Sequence, residues 1–476
     1  MSERARKHKK IVRQRTILAV TAVLIIGTLL IAGIIFIPKA VDRIKAGIAE
    51  KEAAAEAEAA AQEAAEAAKE AAEEAPPIVE EPREEIDEEE LNSRAEEVLN
   101  TEPVPEVDTG IQDKISSMTD EQRVAQLFCI TPEALTGVGE VTAAGGTTQA
   151  ALSENTVGGL IYLAQNIVDP KQLKEMLYNT QTYALSANGI PLFLAVDEEG
   201  GEVTRVASNA AFKDELPGEA ERSVTKELSP EGLYTVANNI GKYLKQYGFN
   251  LDLAPVADIV ISDNSVMAER SFGSEEGYVT DMAVNFLSGL KEAGIIACYK
   301  HFPGFGRASV NSDFEEVSIN AIPEELKSID IKPYERGMEN GLNMIMASNA
   351  MYPLMDGSSV PACMSRIIIT DYLKGELGYD GVVITDALNA AAISKRYEPG
   401  EAAVAAINAG CDLLLMPEDY GAASKAVLEA YKNGEIPKER VEDALTRILT
   451  VKKEMDTSYL EAGAETDSEE NTEEAP

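Results

Sequence analysis

The sequence predicts an α/β protein: a TIM-like (β/α)₈ barrel that follows one transmembrane helix and an Ala/Glu-rich stalk. Between Ile111 and Lys453, eight short apolar runs alternate with helical patterns, as expected for a parallel sheet with crossover helices. Polar, glycine-containing segments follow most of these runs. A doubly wound open sheet would share this alternation, but eight strand and helix units favour a closed barrel.

The N-terminal region has the charge pattern of a single-pass membrane anchor. Residues 16–37 carry no charge, and about 20 apolar residues are enough to cross a ~30 Å hydrocarbon core. Residues 1–15 form a basic tail, so the positive-inside rule predicts a cytoplasmic N-terminus and an extracellular barrel at the cell membrane. A cleaved signal peptide is the alternative. It is disfavoured because its apolar region is usually 7–15 residues long, whereas this run is longer and meets Pro38.

Residues 38–108 are predicted to be a stalk and an acidic linker. Residues 49–75 are nearly all Ala, Glu and Lys, which are strong helix formers, and a helix of this length would extend about 40 Å. The acidic segment after Pro76-Pro77 and the acidic tail over residues 457–476 are expected to be disordered. The barrel is therefore assigned to residues 109–456.

The net charge limits the classes of binding partner, and the cysteine spacing bears on metal sites and disulfides. The formal net charge is −40 and the barrel has no basic stripe, so it would repel phosphate backbones, and no nucleic acid is expected as a partner. An uncharged or cationic ligand fits better. The four cysteines, Cys129, Cys298, Cys363 and Cys411, show no metal-site spacing. We expect buried thiols rather than disulfides, and no metal or organic cofactor.

Eight runs are assigned to the barrel strands. They are Gln126–Ile130, Gly158–Tyr162, Leu192–Val196, Leu251–Pro255, Ile295–Tyr299, Met344–Ala347, Val382–Thr385 and Asp412–Met416.

Five of these runs are followed by polar residues. Residues 197–201 (DEEGG) follow the third run, Asp258 the fourth, residues 300–304 (KHFPG) the fifth, Asn349 the sixth and Asp386 the seventh. A single aspartate at a strand end is often only a helix N-cap. Five such positions at the same end predict a functional site, because barrel enzymes assemble their sites at the carboxyl ends of the strands.

Several motifs over the barrel occur in an order that resembles family 3 glycoside hydrolases. The resemblance is closest to the β-N-acetylhexosaminidase branch, whose enzymes remove terminal N-acetylglucosamine, often from cell-wall fragments. The motifs are VDEEGGEVTR (Val196–Arg205), NLDLAPVAD (Asn250–Asp258), ERSFG (Glu269–Gly273), KHFPGFG (Lys300–Gly306), the segment Pro361–Leu388 and INAGCDLLLMP (Ile407–Pro417).

The resemblance implies roles for individual residues. The positions that match the sugar-binding subsite are Asp197, Arg205, Arg270, Lys300 and His301. For His301 the alternative is an imidazole buried in the core. Asp386 matches the nucleophile of a retaining hydrolase, which needs a carboxylate poised at the anomeric carbon, and nearby cations would keep that carboxylate ionised. The expected partner is thus a glycan that contains N-acetylglucosamine.

The acid/base position departs from the pattern of the family. In the family, the motif KHFPGHG is followed by Asp-Ser-His, whose histidine is the general acid/base. This chain has Phe305 in place of the second histidine of KHFPGHG, Asn311 in place of the aspartate and Asp313 in place of the catalytic histidine. The chain contains only two histidines, His8 and His301. We therefore expect a carboxylic acid to act instead. Asp313 is the first candidate, and the neighbouring acids at 315 and 316 are alternatives, because like-charge repulsion can raise a carboxyl pKa toward neutrality.

Three functions follow from these observations. The first is hydrolysis of terminal β-linked N-acetylhexosamine with Asp386 and Asp313 as catalytic residues. The second is a catalytically degenerate protein that binds glycan at the cell surface without cleaving it. The third is a structural scaffold, against which the intact Asp386 and DEEGG segment argue, because no structural role requires them.

Overall fold

The computed structural model describes residues 109–216 and 228–456. The predicted basic tail (1–15), transmembrane helix (16–37), stalk and linker (38–108) and acidic tail (457–476) lie outside these residues. Within the described ranges no helix is both long enough and apolar enough to cross a membrane.

Eight parallel strands form the central sheet, and each lies in or overlaps one of the eight predicted runs. In chain order the strands of the described residues are β1 (Phe128–Ile130), β2 (Gly159–Ile161), β3 (Phe193–Val196), β4 (Glu198–Gly200), β5 (Val203–Thr204), β6 (Leu251–Asp252), β7 (Ile296–Phe302), β8 (Met344–Ala347), β9 (Val382–Thr385) and β10 (Leu414–Leu415). The sequence did not predict β4 and β5, which form a separate antiparallel hairpin.

The sheet closes on itself as a barrel. Neighbouring strands follow the order β10-β1-β2-β3-β6-β7-β8-β9. A parallel bridge between Ile384 and Leu413 and a hydrogen bond from Thr385 N to Leu413 O, 3.0 Å long, join the two ends. This closure favours the predicted TIM-like barrel over the open doubly wound sheet, whose outer strands would stay unpaired.

Helices cover the outside of the barrel. They are α1 (Thr109–Ser117), α2 (Asp120–Ala125), α3 (Pro132–Thr136), α4 (Gly146–Glu154), α5 (Pro170–Asn188), α6 (Pro230–Tyr247), α7 (Glu276–Ala293), α8 (Pro323–Glu325), α9 (Lys332–Glu339), α10 (Pro353–Asp356), α11 (Ala391–Ser394), α12 (Pro399–Ala409), α13 (Tyr420–Asn433) and α14 (Lys438–Lys453), with π-helical segments at Leu326–Asp330 and Ile367–Glu376. Their apolar faces pack on the strands. The core includes the four cysteines, which are buried and free, as the sequence predicted.

A buried ion cluster lies where β9 meets β10. The carboxylate of Asp412 is fully buried and accepts a 2.9 Å hydrogen bond from Val383 N. It also binds Lys374 Nζ at 2.7 Å and the guanidinium of Arg440, which belong to the second π-helical segment and to α14. One side chain therefore joins the closing strands to two outer helices.

Replacing Asp412 by alanine should lower the free energy of unfolding by about 3–5 kcal/mol, because it leaves a buried cation pair without its central carboxylate. Urea denaturation monitored by circular dichroism measures the change. The matched control is Asp380→Ala, which removes an exposed aspartate just before β9 and should stay within about 0.5 kcal/mol of the unmodified protein. Equal losses in both variants would contradict the role given to the cluster.

Candidate active site

The carboxyl ends of the barrel strands surround a cavity of about 400 Å³. Every site residue predicted from the sequence lines it: Asp197, Arg205, Arg270, Lys300, His301, Asp313 and Asp386. The sequence did not single out other residues that also line it, among them Glu199, Glu202, Asn389 and Met416. No group of three or more His, Cys, Asp or Glu side chains that could hold a metal ion occurs in residues 109–216 and 228–456.

The floor of the cavity is a buried cluster of two cations and two carboxylates. Lys300, at the end of β7, places Nζ 2.8 Å from Asp197 Oδ1 and 2.6 Å from Glu199 Oε1. Arg270 binds Glu199 through two parallel hydrogen bonds of 2.9 and 2.6 Å. The side chains of Lys300 and Glu199 are each only 3% exposed, so each of these charges depends on its partners.

This pairing favours the charged forms of Glu199 and Lys300. Burial by itself would raise the pKa of Glu199, but the charges of Lys300 and Arg270 outweigh it and lower that pKa to about 2. Burial would likewise lower the pKa of Lys300, and Asp197 and Glu199 together raise it instead. Glu199 and Lys300 are therefore fixed charges near neutral pH.

The β4–β5 hairpin is held by Glu198, which points away from the cavity. Its buried carboxylate accepts hydrogen bonds from the backbone N–H groups of Arg205 (2.6 Å), Val206 (2.8 Å) and Ala207 (2.8 Å), and from the hydroxyl of Tyr243 (2.7 Å). Burial raises the pKa of Glu198, although all four hydrogen bonds act in the opposite direction. Since successive side chains of a strand alternate, Glu199 faces the cavity.

Arg205 enters the cavity from the end of this hairpin. Its Nη2 atom lies 4.0 Å from Asp197 Oδ2, and its side chain is 36% exposed. Asp197 thus lies between Lys300 on the buried side and Arg205 on the exposed side.

His301 is a cavity residue rather than a core residue. Its Nδ1 atom lies 2.8 Å from Asp258 Oδ2, and its backbone N–H donates to Asp258 Oδ1 at 3.1 Å. The N–H of Phe305 donates to the same oxygen at 2.6 Å. The Lys300–His301 peptide bond is cis. Through these hydrogen bonds, Asp258 fixes the imidazole and the start of the following loop. It acts on the site through His301 rather than by lining the cavity.

Asp386 follows β9 and is anchored through its backbone. Its N–H donates to Ala347 O at 2.8 Å, and its Oδ1 atom accepts from the N–H of Ala387 at 2.7 Å. Asn349 supports this turn by donating its side-chain amide to Ala387 O at 2.8 Å. The strand-end asparagine thus supports the position of the carboxylate and does not line the cavity.

The pKa of Asp386 reflects two opposing effects, burial and nearby positive charge. His301 and Lys300 do act to keep this carboxylate ionised, as does the Ala387 N–H, but burial is the larger effect and raises its pKa above the ordinary value. The charge of Asp313 raises it further. The sequence alone could not predict how deeply Asp386 is buried.

Of the three candidate acids on the loop after β7, only Asp313 lines the cavity. Its backbone N–H donates to Asn311 Oδ1 at 2.9 Å, and its side chain is exposed. Glu315 is outside the cavity lining, and Glu316 lies 3.5 Å from Arg396 instead. The arrangement thus places two carboxylates, Asp313 and Asp386, around one cavity with a charged floor.

Comparison with known proteins agrees with this architecture. Residues 119–451 match the model of the glycosyl hydrolase family 3 N terminal domain. Beta-hexosaminidase A from Pseudoalteromonas piscicida is 30% identical over 340 residues, which cover 64% of this chain and 55% of that protein. A beta-hexosaminidase from Tolumonas auensis is 32% identical over 302 residues, or 62% of this chain and 85% of the relative.

Solved structures with the same fold include two related enzymes. A family 3 beta-N-acetylglucosaminidase from Paenibacillus sp. has a TM-score of 0.65 at 31% identity, covering 71% of this chain and 63% of that one. A beta-N-acetylhexosaminidase from Beutenbergia cavernae has a TM-score of 0.62 at 28% identity, covering 71% of this chain and 99% of that one. The chain therefore belongs to glycosyl hydrolase family 3, the family that its sequence motifs resemble.

Proposed function

We propose that this protein is a retaining glycoside hydrolase that removes terminal β-linked N-acetylhexosamine, in particular N-acetylglucosamine, from cell-wall or related glycans. The observation that carries the proposal is the convergence of Asp386 and Asp313 on one cavity with a fixed, charged floor. The names of the beta-hexosaminidase relatives support the sugar class.

The floor would bind the terminal sugar. Each sugar hydroxyl can donate one hydrogen bond and accept others, so it requires acceptors and donors in fixed positions. Asp197 offers carboxylate oxygens, and Arg205, Arg270 and Lys300 offer N–H donors. Because these groups are already held by one another, little reorganisation accompanies binding. His301 adds Nε2, which has no protein partner among the described residues once Nδ1 is held by Asp258.

Asp386 would act as the nucleophile. Its Oδ1 atom is held by the Ala387 N–H, while Oδ2 has no protein hydrogen bond within the described part of the chain. Attack of this carboxylate on the anomeric carbon forms a glycosyl–enzyme bond as the bond from that carbon to the leaving oxygen breaks. The leaving oxygen takes the electron pair of the broken bond.

Asp313 would act as the acid and then as the base. Its protonated carboxyl group gives a proton to the leaving oxygen, and the resulting carboxylate takes a proton from the water that attacks the glycosyl–enzyme bond. The second displacement restores Asp386 and retains the configuration at the anomeric carbon. The charge of Asp313 contributes to the raised pKa of Asp386, so the two carboxyl groups interact across the cavity.

Replacing Asp386 by asparagine should lower turnover of 4-nitrophenyl N-acetyl-β-glucosaminide by the full-length protein by at least about 10³-fold, because the nucleophile is lost. Nitrophenol release over pH 4–8 measures it. The control is Asp380→Asn, an exposed aspartate before β9, which should retain full activity. Absence of turnover in the unmodified protein, with the sugar still bound, would contradict hydrolysis and favour the glycan-binding alternative.

Replacing Asp313 by asparagine should separate substrates by leaving group. For the disaccharide of N-acetylglucosamine, whose alkoxide needs a proton, kcat/KM should fall about 10²–10⁴-fold, the usual contribution of a general acid. For the nitrophenyl glycoside it should change little, with a burst followed by slow turnover, because hydrolysis of the intermediate still needs the base. Glu315→Gln is the matched control. Loss of activity in that variant and not in Asp313→Asn would move the role to Glu315.

We also propose that residues 16–37 anchor the protein in the cell membrane with the barrel outside. The uncharged run and the basic residues before it support this. The full-length protein should stay in the membrane pellet after alkaline carbonate extraction, and deletion of residues 16–37 should release it. Deletion of residues 49–75, the Ala/Glu-rich segment, is the control and should leave it in the pellet. Extraction of the full-length protein by carbonate would contradict the anchor.

A further inference from the structure

We infer that helix α11 holds the loop of Asp313 in place, so that the chain just beyond Asp386 positions the second carboxylate before substrate binds. The inference rests on the proposed function. It assigns positioning roles to Ala391 and Lys395, which do not line the cavity.

The first contacts are between the start of α11 and the backbone of the loop. The N–H of Ala392 donates to Ser312 O at 3.0 Å, and the N–H of Ala391 donates to Asp313 O at 3.2 Å. The first N–H groups of a helix have no partner within the helix. The N-cap residue, Ala390, offers no side-chain acceptor to them. The two loop carbonyls therefore cap α11, and the carbonyl of the proposed acid/base is one of them.

Two side chains extend this contact along the loop. Lys395 Nζ donates to Phe314 O at 2.7 Å, and Arg396 Nη1 lies 3.5 Å from Glu316 Oε2. Each contact is near the surface and weak by itself. Together with the backbone bonds, however, they bind four of the five residues from Ser312 to Glu316.

Burial of residues 313–316 does not fix the position of Asp313. Residues 313–316 are all exposed, and Phe314 is 70% exposed. An exposed loop with few apolar contacts is expected to open easily. The hydrogen bonds to α11 therefore tie Asp313 to the barrel, in addition to the bonds that Asn311 accepts within the loop.

The helix that provides the restraint is itself fixed to the barrel. The N–H of Leu388 donates to Leu415 O at 2.9 Å, and the N–H of Asn389 donates to Met416 O at 3.0 Å. The side chain of Ile393 is fully buried. A short, anchored path thus runs from Asp386 through Ala391 to Asp313, and it sets the separation of the two carboxylates.

Replacing Ala391 by proline tests the contact, because it removes the N–H that binds Asp313 O. Proline is well tolerated at the first position of a helix. Ala390 has φ −59° and ψ 145°, the extended conformation that a residue before proline prefers. The helix should therefore form, with the loop displaced. The control is Gly146→Pro, at the first position of α4, where nothing lies within 4 Å of an added Cβ.

The expected result is a selective loss. With Ala391→Pro, kcat/KM for the N-acetylglucosamine disaccharide should fall about tenfold or more, because a misplacement of the order of 1 Å can cost about 10²-fold. For the nitrophenyl glycoside, which needs no acid in the first step, it should stay within about twofold, as should both values for Gly146→Pro. Lys395→Met should give a smaller loss in the same direction. Equal losses on both substrates would indicate a merely structural effect and overturn the inference.

Hydrogen exchange separates this inference from the proposed function. The amides of Ala391 and Ala392 should exchange slowly in the unmodified full-length protein and faster in Lys395→Met. Fast exchange in the unmodified protein would overturn the positioning role whatever the activity. Slow exchange in a protein that hydrolyses neither substrate would support the positioning of the loop while contradicting the proposed hydrolysis.

Discussion

The site depends on the ammonium group of Lys300, which is buried between the carboxylates of Asp197 and Glu199. A charge with 3% exposure is tolerated only when its partners and hydrogen bonds compensate for the lost water. Here the compensation is mutual, because Arg270 completes the pairing of Glu199. The partners lie at or after the ends of β3, β6 and β7, which are neighbours in the sheet, and the parallel pairing of these strands brings them together. Pairing of these three strands therefore assembles the floor of the cavity.

Around this cluster, other carboxylates act on the site through backbone N–H groups. Glu198 binds three consecutive N–H groups of the hairpin, and Asp258 binds those of His301 and Phe305. Close packing also fixes the loop that follows β7, since a Cβ atom at Gly306 would lie 1.9 Å from Ile259 O. Only glycine permits that approach, which gives a physical reason for the last glycine of KHFPGFG.

The sequence predicted the secondary-structure elements and the residues of the site better than the interactions between those residues. Period and composition were sufficient for the eight strands. Strand-end polarity indicated where the cavity lies, but Arg205, Arg270 and Asp313 were predicted from the family resemblance. The hairpin was missed because DEEGG reads as a turn after β3, and its two strands are two or three residues long. Glu199 was missed for the same reason: alternation along an unrecognised strand is what separates it from Glu198. The raised pKa of Asp386 depends on burial, which emerges only from the tertiary structure.

The exposed side of the cavity obeys a different constraint from its floor. On the floor, burial enforces pairing, so position and charge are fixed together. At the loop of Asp313 the side chain is exposed, so its position must come from the backbone, and the carbonyls that cap α11 provide it. A carboxyl group on one methylene reaches less far than an imidazole, so an aspartate acting as acid/base needs its backbone held more closely to the substrate. Because α11 begins shortly after Asp386 in the chain, such a restraint would align the acid with the nucleophile while leaving the acid exposed.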